Sequence, residues 1–204
     1  MTAIIDYGVG NLYSLKSSFA AIGEQAVVTG EENEIRNADR IILPGVGAFS
    51  DAMEKLRRTG LDRVLIDEAE KGKPVMGICL GMQMLFDKSY EYGEYDGLSL
   101  GRGKVRPIAD VSKNLKIPQI GWNSLIFKKT DCPIFKYIKD GDFVYFVHSY
   151  YADECTESTV AVTEYGALLT AAVQNKNVFG CQFHPEKSGD TGLKILKAFC
   201  EIQE

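Results

Sequence analysis

A cysteine lies between two glycines at residues 77–81, where an apolar run gives way to a helical pattern. Val75–Ile78 predicts a short buried strand, and residues 80–86 predict the start of a helix. The G-x-C-x-G spacing is that of a nucleophile elbow, in which small residues allow a sharp strand-to-helix turn. A helix N-terminus favours a thiolate at Cys79, and the Leu80 N–H is placed to bind an oxyanion. A buried structural cysteine explains this segment alone equally well.

A candidate base for this nucleophile lies near the C-terminus, at His184, which Glu186 follows two residues later. The other histidine, His148, ends an apolar run and has no such carboxylate. If the strand before His184 continued, both side chains would point to the same side, although Pro185 between them ends a strand. Alone, His-Pro-Glu is typical of a surface turn. Together with Cys79 it predicts a Cys-His-Glu triad.

The first half of the chain alternates between short apolar runs and helical patterns. The predicted strands cover residues 3–5, 25–29, 40–43 and 75–78, and the predicted helices cover residues 12–22, 31–38 and 48–71, the last broken at Thr59-Gly60. This order is typical of βαβ units on a parallel sheet. Active sites on such sheets lie at the carboxyl ends of the strands, where Cys79 and the loop at residues 44–47 both fall.

The second half of the chain is richer in strands. Extended segments are predicted at residues 98–108, 117–127, 143–151, 159–165, 168–173 and 178–183, with a final amphipathic helix at Gly189–Cys200. Several of these strands are expected to be antiparallel. No internal repeat or linker divides the sequence, so residues 1–204 are predicted to form one domain.

Composition limits the classes of function. The 204 residues are 45% hydrophobic and 25% charged, and the net charge of -5 disfavours a nucleic-acid binder. The sequence has no run of about 18 apolar residues, so no membrane span is predicted. Five scattered cysteines suggest reduced thiols in the cytoplasm. Cys181-x-x-His184 has no second ligand pair of matching spacing, so no metal site is predicted.

Several motifs together resemble one enzyme family, the class I (triad) glutamine amidotransferases. Gly77-Ile78-Cys79-Leu80-Gly81-Met82-Gln83 and Gln182-Phe183-His184-Pro185-Glu186-Lys187 carry this resemblance. Within the family, the sequence is most similar to the glutaminase subunits of imidazole glycerol phosphate synthases. That similarity rests on residues 4–12, 43–49, 121–123 and 145–150.

The resemblance implies a fold and a reaction. The implied fold is α/β and flavodoxin-like: an open, mostly parallel sheet flanked by helices, with extra antiparallel strands in the C-terminal half. The implied reaction is hydrolysis of L-glutamine to glutamate and ammonia without a cofactor. Ammonia would pass to a cyclase subunit, a (β/α)8 barrel in a heterodimer with this chain. The cyclase would form imidazole glycerol phosphate and an aminoimidazole carboxamide ribotide in histidine biosynthesis.

The resemblance also implies roles for residues that spacing alone does not identify. The loop at residues 44–47 corresponds to the family's oxyanion strand, although ordinary turn chemistry explains its glycines equally well. Backbone groups of Val46 and Gly47, with Leu80, would stabilise the tetrahedral intermediate. Five residues are implied to bind glutamine: Gly45, Gln83, Glu91, Ser149 and Tyr150. Four are implied to face the partner: Asn11, Trp122, Tyr145 and Lys187.

One departure from the resemblance leaves the pathway open. These subunits usually carry His-Met before Gly-Trp-Asn, where this chain has Gln119-Ile120. A paralogous glutaminase that supplies ammonia for amidation of cell-surface sugars is therefore an alternative. A cysteine hydrolase on the same fold and a catalytically inactive subunit are further alternatives. A cysteine hydrolase would leave Gln83 and the partner-facing motifs unexplained. The intact triad argues against an inactive subunit.

Overall fold

The computed structural model of the chain describes residues 1–203. Within this range, six α-helices are present: Leu12–Ala21 (α1), Glu32–Asn37 (α2), Phe49–Arg58 (α3), Leu61–Glu70 (α4), Leu80–Met84 (α5) and Gly189–Cys200 (α6). The same residues include fourteen β-strands: Thr2–Ile5 (β1), Ala26–Thr29 (β2), Arg40–Leu43 (β3), Val75–Ile78 (β4), Lys88–Ser89 (β5), Tyr95–Asp96 (β6), Lys104–Pro107 (β7), Gln119–Ser124 (β8), Ile126–Phe127 (β9), Phe143–His148 (β10), Tyr150–Asp153 (β11), Thr159–Glu164 (β12), Leu168–Asn175 (β13) and Val178–Cys181 (β14).

An eight-stranded sheet forms the centre of the fold, in the order β2-β1-β3-β4-β14-β13-β12-β9. The strands from β2 to β14 in this order run parallel, and the pairs β14-β13, β13-β12 and β12-β9 are antiparallel. The predicted sheet, parallel in its first half with antiparallel strands added later, is confirmed. A strand from the end of the chain, β14, completes the parallel part beside β4.

Helices cover both faces of the parallel strands. Ile4, Ile42 and Met76 pack on the same side as α1 and α6, whereas Ile5, Leu43 and Val75 pack with α2, α3 and α4. Successive strand residues therefore enter opposite cores, as the period of two requires. Because both faces are buried, these strands are apolar throughout rather than alternating.

Two smaller sheets lie outside the central one. An antiparallel ribbon pairs β8 with β10, and a second sheet has the order β11-β7-β5-β6. The predicted strand at residues 143–151 is therefore two strands, which separate at Ser149 and join different sheets. This division matters for the site because the residues around Ser149 line its cavity.

The prediction for residues 98–108 was wrong for its first half. Only Lys104–Pro107 forms a strand. The N–H groups of Leu98 and Leu100 instead donate to the carbonyls of Met84 and Leu85, at the end of α5. These hydrogen bonds satisfy the last carbonyls of the helix, which have no partner within it. No helix among residues 1–203 has the length and apolarity to cross a membrane.

Candidate active site

Cys79 connects β4 to α5 in a backbone conformation that residues other than glycine rarely adopt. Its φ is 55° and its ψ is -111°. Such conformations persist only where the surrounding structure enforces them, and they are concentrated at functional sites. The side chain is buried at one end of a cavity of about 380 Å³. The strand-to-helix turn predicted for residues 77–81 is present.

Three glycines allow the backbone to pack this closely around Cys79. A Cβ on Gly81 would lie 1.9 Å from the Leu43 carbonyl oxygen, and a Cβ on Gly77 would lie 2.6 Å from the Gly81 oxygen. A Cβ on Gly45 would lie 2.7 Å from the Gly81 nitrogen. Distances this short exclude any side chain unless the backbone moves. The glycines therefore allow the loop after β3 to lie directly on the first turn of α5.

Parallel pairing of β4 with β14 brings the C-terminal motif to Cys79. Ile78 pairs with Cys181, and the Cys79 N–H donates to the Cys181 carbonyl at 2.7 Å. Both strands end at this level, so the residues after them enter the same space. His184, three residues beyond β14, and Cys79 line the same cavity.

His184 and Glu186 form a buried hydrogen-bonded pair. The Nδ1 atom of His184 lies 2.8 Å from Oε1 of Glu186. The strand does not continue to these residues: β14 ends at Cys181, and Pro185–Lys187 forms a 3-10 turn. This turn brings Glu186 back towards the imidazole ring.

The surroundings of His184 favour its protonated form. Burial lowers the pKa of His184, but hydrogen bonds and charge interactions with Cys79 and Glu186 outweigh it and raise the pKa to about 9. At neutral pH the ring therefore carries a proton that it can give to a leaving group. A protonated imidazole held beside a cysteine is the arrangement of an activated sulfur nucleophile.

His148 lies in the same cavity but in surroundings of the opposite kind. Burial lowers the pKa of His148 to about 4, an effect that the Tyr150 carbonyl opposes and His184 reinforces. Nδ1 of His148 lies 2.7 Å from that carbonyl, and Nε2 lies 3.0 Å from the Gln119 side-chain amide. His148 is therefore neutral at pH 7 and is held between two polar neighbours. His184, unlike His148, is paired with a carboxylate.

The cavity brings most of the predicted site residues together. It is lined by Cys79 and His184, and by the following residues with other predicted roles: Val46, Gly47, Leu80, Gln83, Glu91, Ser149, Tyr150 and Lys187. Gly45 lies behind it, against α5. Among residues 1–203, no three His, Cys, Asp or Glu side chains are grouped closely enough to hold a metal ion.

The loop between β3 and α3 is anchored by a residue that the motifs did not single out. The Tyr7 hydroxyl donates to the Pro44 carbonyl at 2.7 Å and lies 3.6 Å from the Met84 sulfur. Burial, reinforced by the charge of Cys79, raises the pKa of Tyr7. Gly47 has a φ of 91°, and Val46 is exposed. The loop is therefore fixed at its start and open at its tip.

Gln83 and Glu91 differ in burial and in their hydrogen-bond partners. Gln83 is buried, and its Nε2 donates to the Tyr150 carbonyl and to Gln182 Oε1, each at 3.0 Å. Glu91 is half-buried, and its Oε2 accepts the Phe49 N–H at 2.7 Å. Burial raises the pKa of Glu91 against this hydrogen bond, and Asp51 adds to the increase. Glu91 thus joins the cavity wall to the start of α3.

The predicted partner-facing residues lie on the surface beside the cavity. Trp122 is 52% exposed, and its ring meets that of Tyr145 edge to face at 6.0 Å. Both belong to the outer face of the β8-β10 ribbon, where Ile120 is also exposed. Lys187 is exposed at the end of the 3-10 turn, and Asn11 precedes α1, which packs beside that turn.

Comparison with known proteins identifies one family across the whole chain. The family model described as glutamine amidotransferase class-I matches residues 3–202. The imidazole glycerol phosphate synthase subunit HisH of Caldanaerobacter subterraneus is 52% identical over 99% of this chain and 98% of that protein. The subunit of the same name from Methanosarcina mazei is 51% identical over 98% of this chain and 97% of that protein.

Solved structures of lower sequence identity share the fold. A structure of PurLQS from Thermotoga maritima has a TM-score of 0.77 at 20% identity, covering 98% of this chain and 96% of that chain. The glutaminase domain of a Trypanosoma brucei CTPS, solved with bound acivicin, has a TM-score of 0.67 at 17% identity, covering 100% of this chain and 94% of the other.

The different pKa values of the two histidines give a direct test of the site. The chain contains 2 histidines, so its NMR spectrum has two imidazole side chains. We expect His184 to titrate near pH 9 and His148 near pH 4. Glu186→Gln removes a negative partner and should lower the pKa of His184 by about one pH unit or more. His148 serves as the internal control. An unchanged His184 titration in the variant would show that Glu186 does not stabilise the imidazolium.

Proposed function

The chain belongs to the class I glutamine amidotransferases, and on that premise we propose that it is the glutaminase subunit of an imidazole glycerol phosphate synthase. One observation carries the chemistry: Cys79 shares a cavity with His184, whose ring is held by Glu186. The high identity to HisH subunits over nearly the whole chain supports the assignment to histidine biosynthesis. The free cysteines agree with a reducing compartment, and we place the reaction in the cytoplasm.

The first half-reaction forms a thioester. The Cys79 thiolate attacks the side-chain carbonyl carbon of glutamine, and the carbonyl oxygen becomes an oxyanion. The tetrahedral intermediate collapses when the C–N bond breaks, and His184 gives its proton to the departing nitrogen. Ammonia leaves, and the γ-glutamyl group stays on the sulfur. Glu186 holds the imidazole in position and stabilises its positive charge before the proton is transferred.

The second half-reaction regenerates the enzyme. His184, now neutral, takes a proton from water as the oxygen attacks the thioester carbon. The C–S bond then breaks, glutamate leaves, and the thiolate is restored beside a protonated ring. The same base thus acts in both halves, as in other triads.

Backbone N–H groups are placed to stabilise both oxyanions. Leu80 begins α5, where the first N–H groups have no acceptor within the helix. We expect the second donor to come from the loop of Gly45, Val46 and Gly47, of which Gly45 lies against the first turn of α5. Loss of one such donor typically lowers the rate by about a hundredfold or more.

The proposed glutamine subsite lies in the cavity that Cys79 lines. Gln83 uses its Nε2 for contacts within the protein, so its Oε1 is available to accept from the substrate's α-ammonium group. Glu91 offers a second carboxylate oxygen for the same charge. Ser149 and Tyr150 line the same cavity, where we expect their backbone atoms to bind the substrate.

We propose that a second protein consumes the ammonia, as the name of the synthase subunits to which this chain is similar implies. The outer face of the β8-β10 ribbon presents exposed apolar side chains, which is unusual for a surface without a partner. Ile120 is 60% and Phe143 is 56% exposed, with Trp122 between them. We propose that this face, with Asn11, Tyr145 and Lys187, docks the cyclase barrel in a heterodimer and that ammonia crosses the interface.

Glutamate release by the purified chain tests the proposed reaction. We expect low activity alone and a strong rise with the cyclase subunit and its nucleotide ligand. Cys79→Ala should lower the rate at least about a thousandfold, because the nucleophile is lost. Cys200→Ala is the matched control, since Cys79 and Cys200 are both 7% exposed. If the rate of glutamate release does not rise with this cyclase, although Cys79 still hydrolyses glutamine, the assignment to the histidine pathway is refuted.

Binding to the cyclase tests the proposed interface separately. Truncation of a large aromatic side chain at the centre of an interface commonly costs about 2 kcal/mol, so Trp122→Ala should weaken Kd about thirtyfold. Leu168→Ala, at a side chain that is 56% exposed on β13, is the control and should leave Kd unchanged. Titration calorimetry with the two purified subunits measures both. Equal Kd values for the two variants would exclude the ribbon as the docking face.

A further inference from the structure

A fully buried amide that the proposed mechanism does not use lies beside the nucleophile. Gln182 directly follows β14 and has 0% exposure. Its Nε2 lies 3.8 Å from Sγ of Cys79, within the range of a hydrogen bond to sulfur. Its backbone N–H donates to the Ala171 carbonyl at 2.8 Å, which fixes the start of the side chain. Gln182 is a polar residue within an apolar segment, and this contrast is the sequence signal that points to it.

The hydrogen-bond network determines which end of the Gln182 amide faces the sulfur. The Tyr150 carbonyl can only accept, so Gln83 must direct its Nε2 towards it. The same Nε2 lies 3.0 Å from Gln182, which must therefore present its Oε1 there. The remaining end of Gln182, the NH₂ group, then faces Cys79. A backbone carbonyl, which cannot rotate, thus fixes the orientation of two successive amides.

We propose that Gln182 is a further catalytic residue, whose side-chain amide donates a hydrogen bond to Cys79 Sγ and favours the thiolate form. This inference rests on the proposed function and adds a second donor to the sulfur beside His184. Because Gln182 has no access to water, its N–H has no solvent acceptor to compete with the sulfur. The bond strengthens when the sulfur is charged and weakens in the thioester.

Other groups around the sulfur set the background for this effect. The Val147 carbonyl lies 3.9 Å from Sγ and can accept from a thiol but opposes a thiolate. The titratable side chains near Cys79 or across its cavity are Tyr7, Glu91, Tyr92, His148, Tyr150, His184, Glu186 and Lys187. Of these, Glu186 acts through His184, and His148 is neutral at pH 7. Gln182 adds a donor whose charge does not change with pH.

The pH dependence of Cys79 alkylation tests the proposal. The rate with iodoacetamide, followed by mass spectrometry of the peptide that contains Cys79, reports the thiolate fraction. Gln182→Met keeps the length of the side chain and removes the donor. We expect the alkylation midpoint to move to higher pH by about one unit, since a hydrogen bond to a charged group has about this effect. Gln174→Met is the control, because Gln174 on β13 donates to the Lys176 carbonyl at 3.2 Å instead.

Two outcomes of this experiment are decisive. A merely structural role of Gln182 would lower the alkylation rate at every pH without moving the midpoint, and that result overturns the proposal. A midpoint that moves in Gln182→Met but not in Gln174→Met supports it. Alkylation needs no glutamine, so the two proposals can be tested separately. If the midpoint moves but the chain releases no glutamate, the role of Gln182 is supported and the proposed function fails.

A second measurement on the unmodified chain is independent of how the variant folds. The side-chain NH₂ resonance of Gln182 should shift with pH at the same midpoint as Cys79 alkylation. In Cys79→Ala this shift should disappear, and in both chains the Gln174 resonance should not move. A Gln182 resonance that ignores the ionisation of the sulfur would overturn the proposal.

Discussion

The parallel pairing of β4 with β14 is the contact on which the rest of the site depends. It joins segments about a hundred residues apart in sequence, with Ile78 opposite Cys181. Because both strands end at the same level, Cys79 and His184 line the same cavity. A change of register by one residue would reverse the side that each side chain faces. The paired strands are buried on both faces, so the hydrophobic cores fix the register that the chemistry needs.

A second constraint is the close packing of backbone around Cys79. Gly45, Gly77 and Gly81 bring the loop after β3, the end of β4 and the first turn of α5 within contact distance. Cys79, between these segments, has a positive φ of 55°. Tyr7 adds a hydrogen bond to Pro44 at the start of this loop. One set of backbone contacts therefore positions the nucleophile and the start of the loop that we propose to supply an oxyanion donor.

Sequence patterns predicted the parts of this protein that short-range periodicity determines. The apolar runs around Ile42 and Met76 and the elbow at Cys79 follow directly from local spacing. The pairing of β14 with β4 is a long-range contact, which no local sequence pattern predicts. Glu186 reaches His184 through a 3-10 turn at Pro185 rather than along a strand, which alternation of side chains could not indicate. Gln182 stands out in the sequence as a polar residue in an apolar segment, but only the structure shows that its amide lies beside Cys79 Sγ.

Trapping the covalent intermediate tests most directly whether Cys79 is the nucleophile. The chain, bound to its cyclase subunit, is mixed with glutamine and quenched in acid, and its peptides are weighed. If Cys79 is the nucleophile, a γ-glutamyl group is found on the peptide that contains Cys79, and it is absent when Cys79→Ala is used. Steady release of glutamate with an adduct on a different residue, or with none at the shortest quench times, would contradict the central claim that Cys79 is the nucleophile.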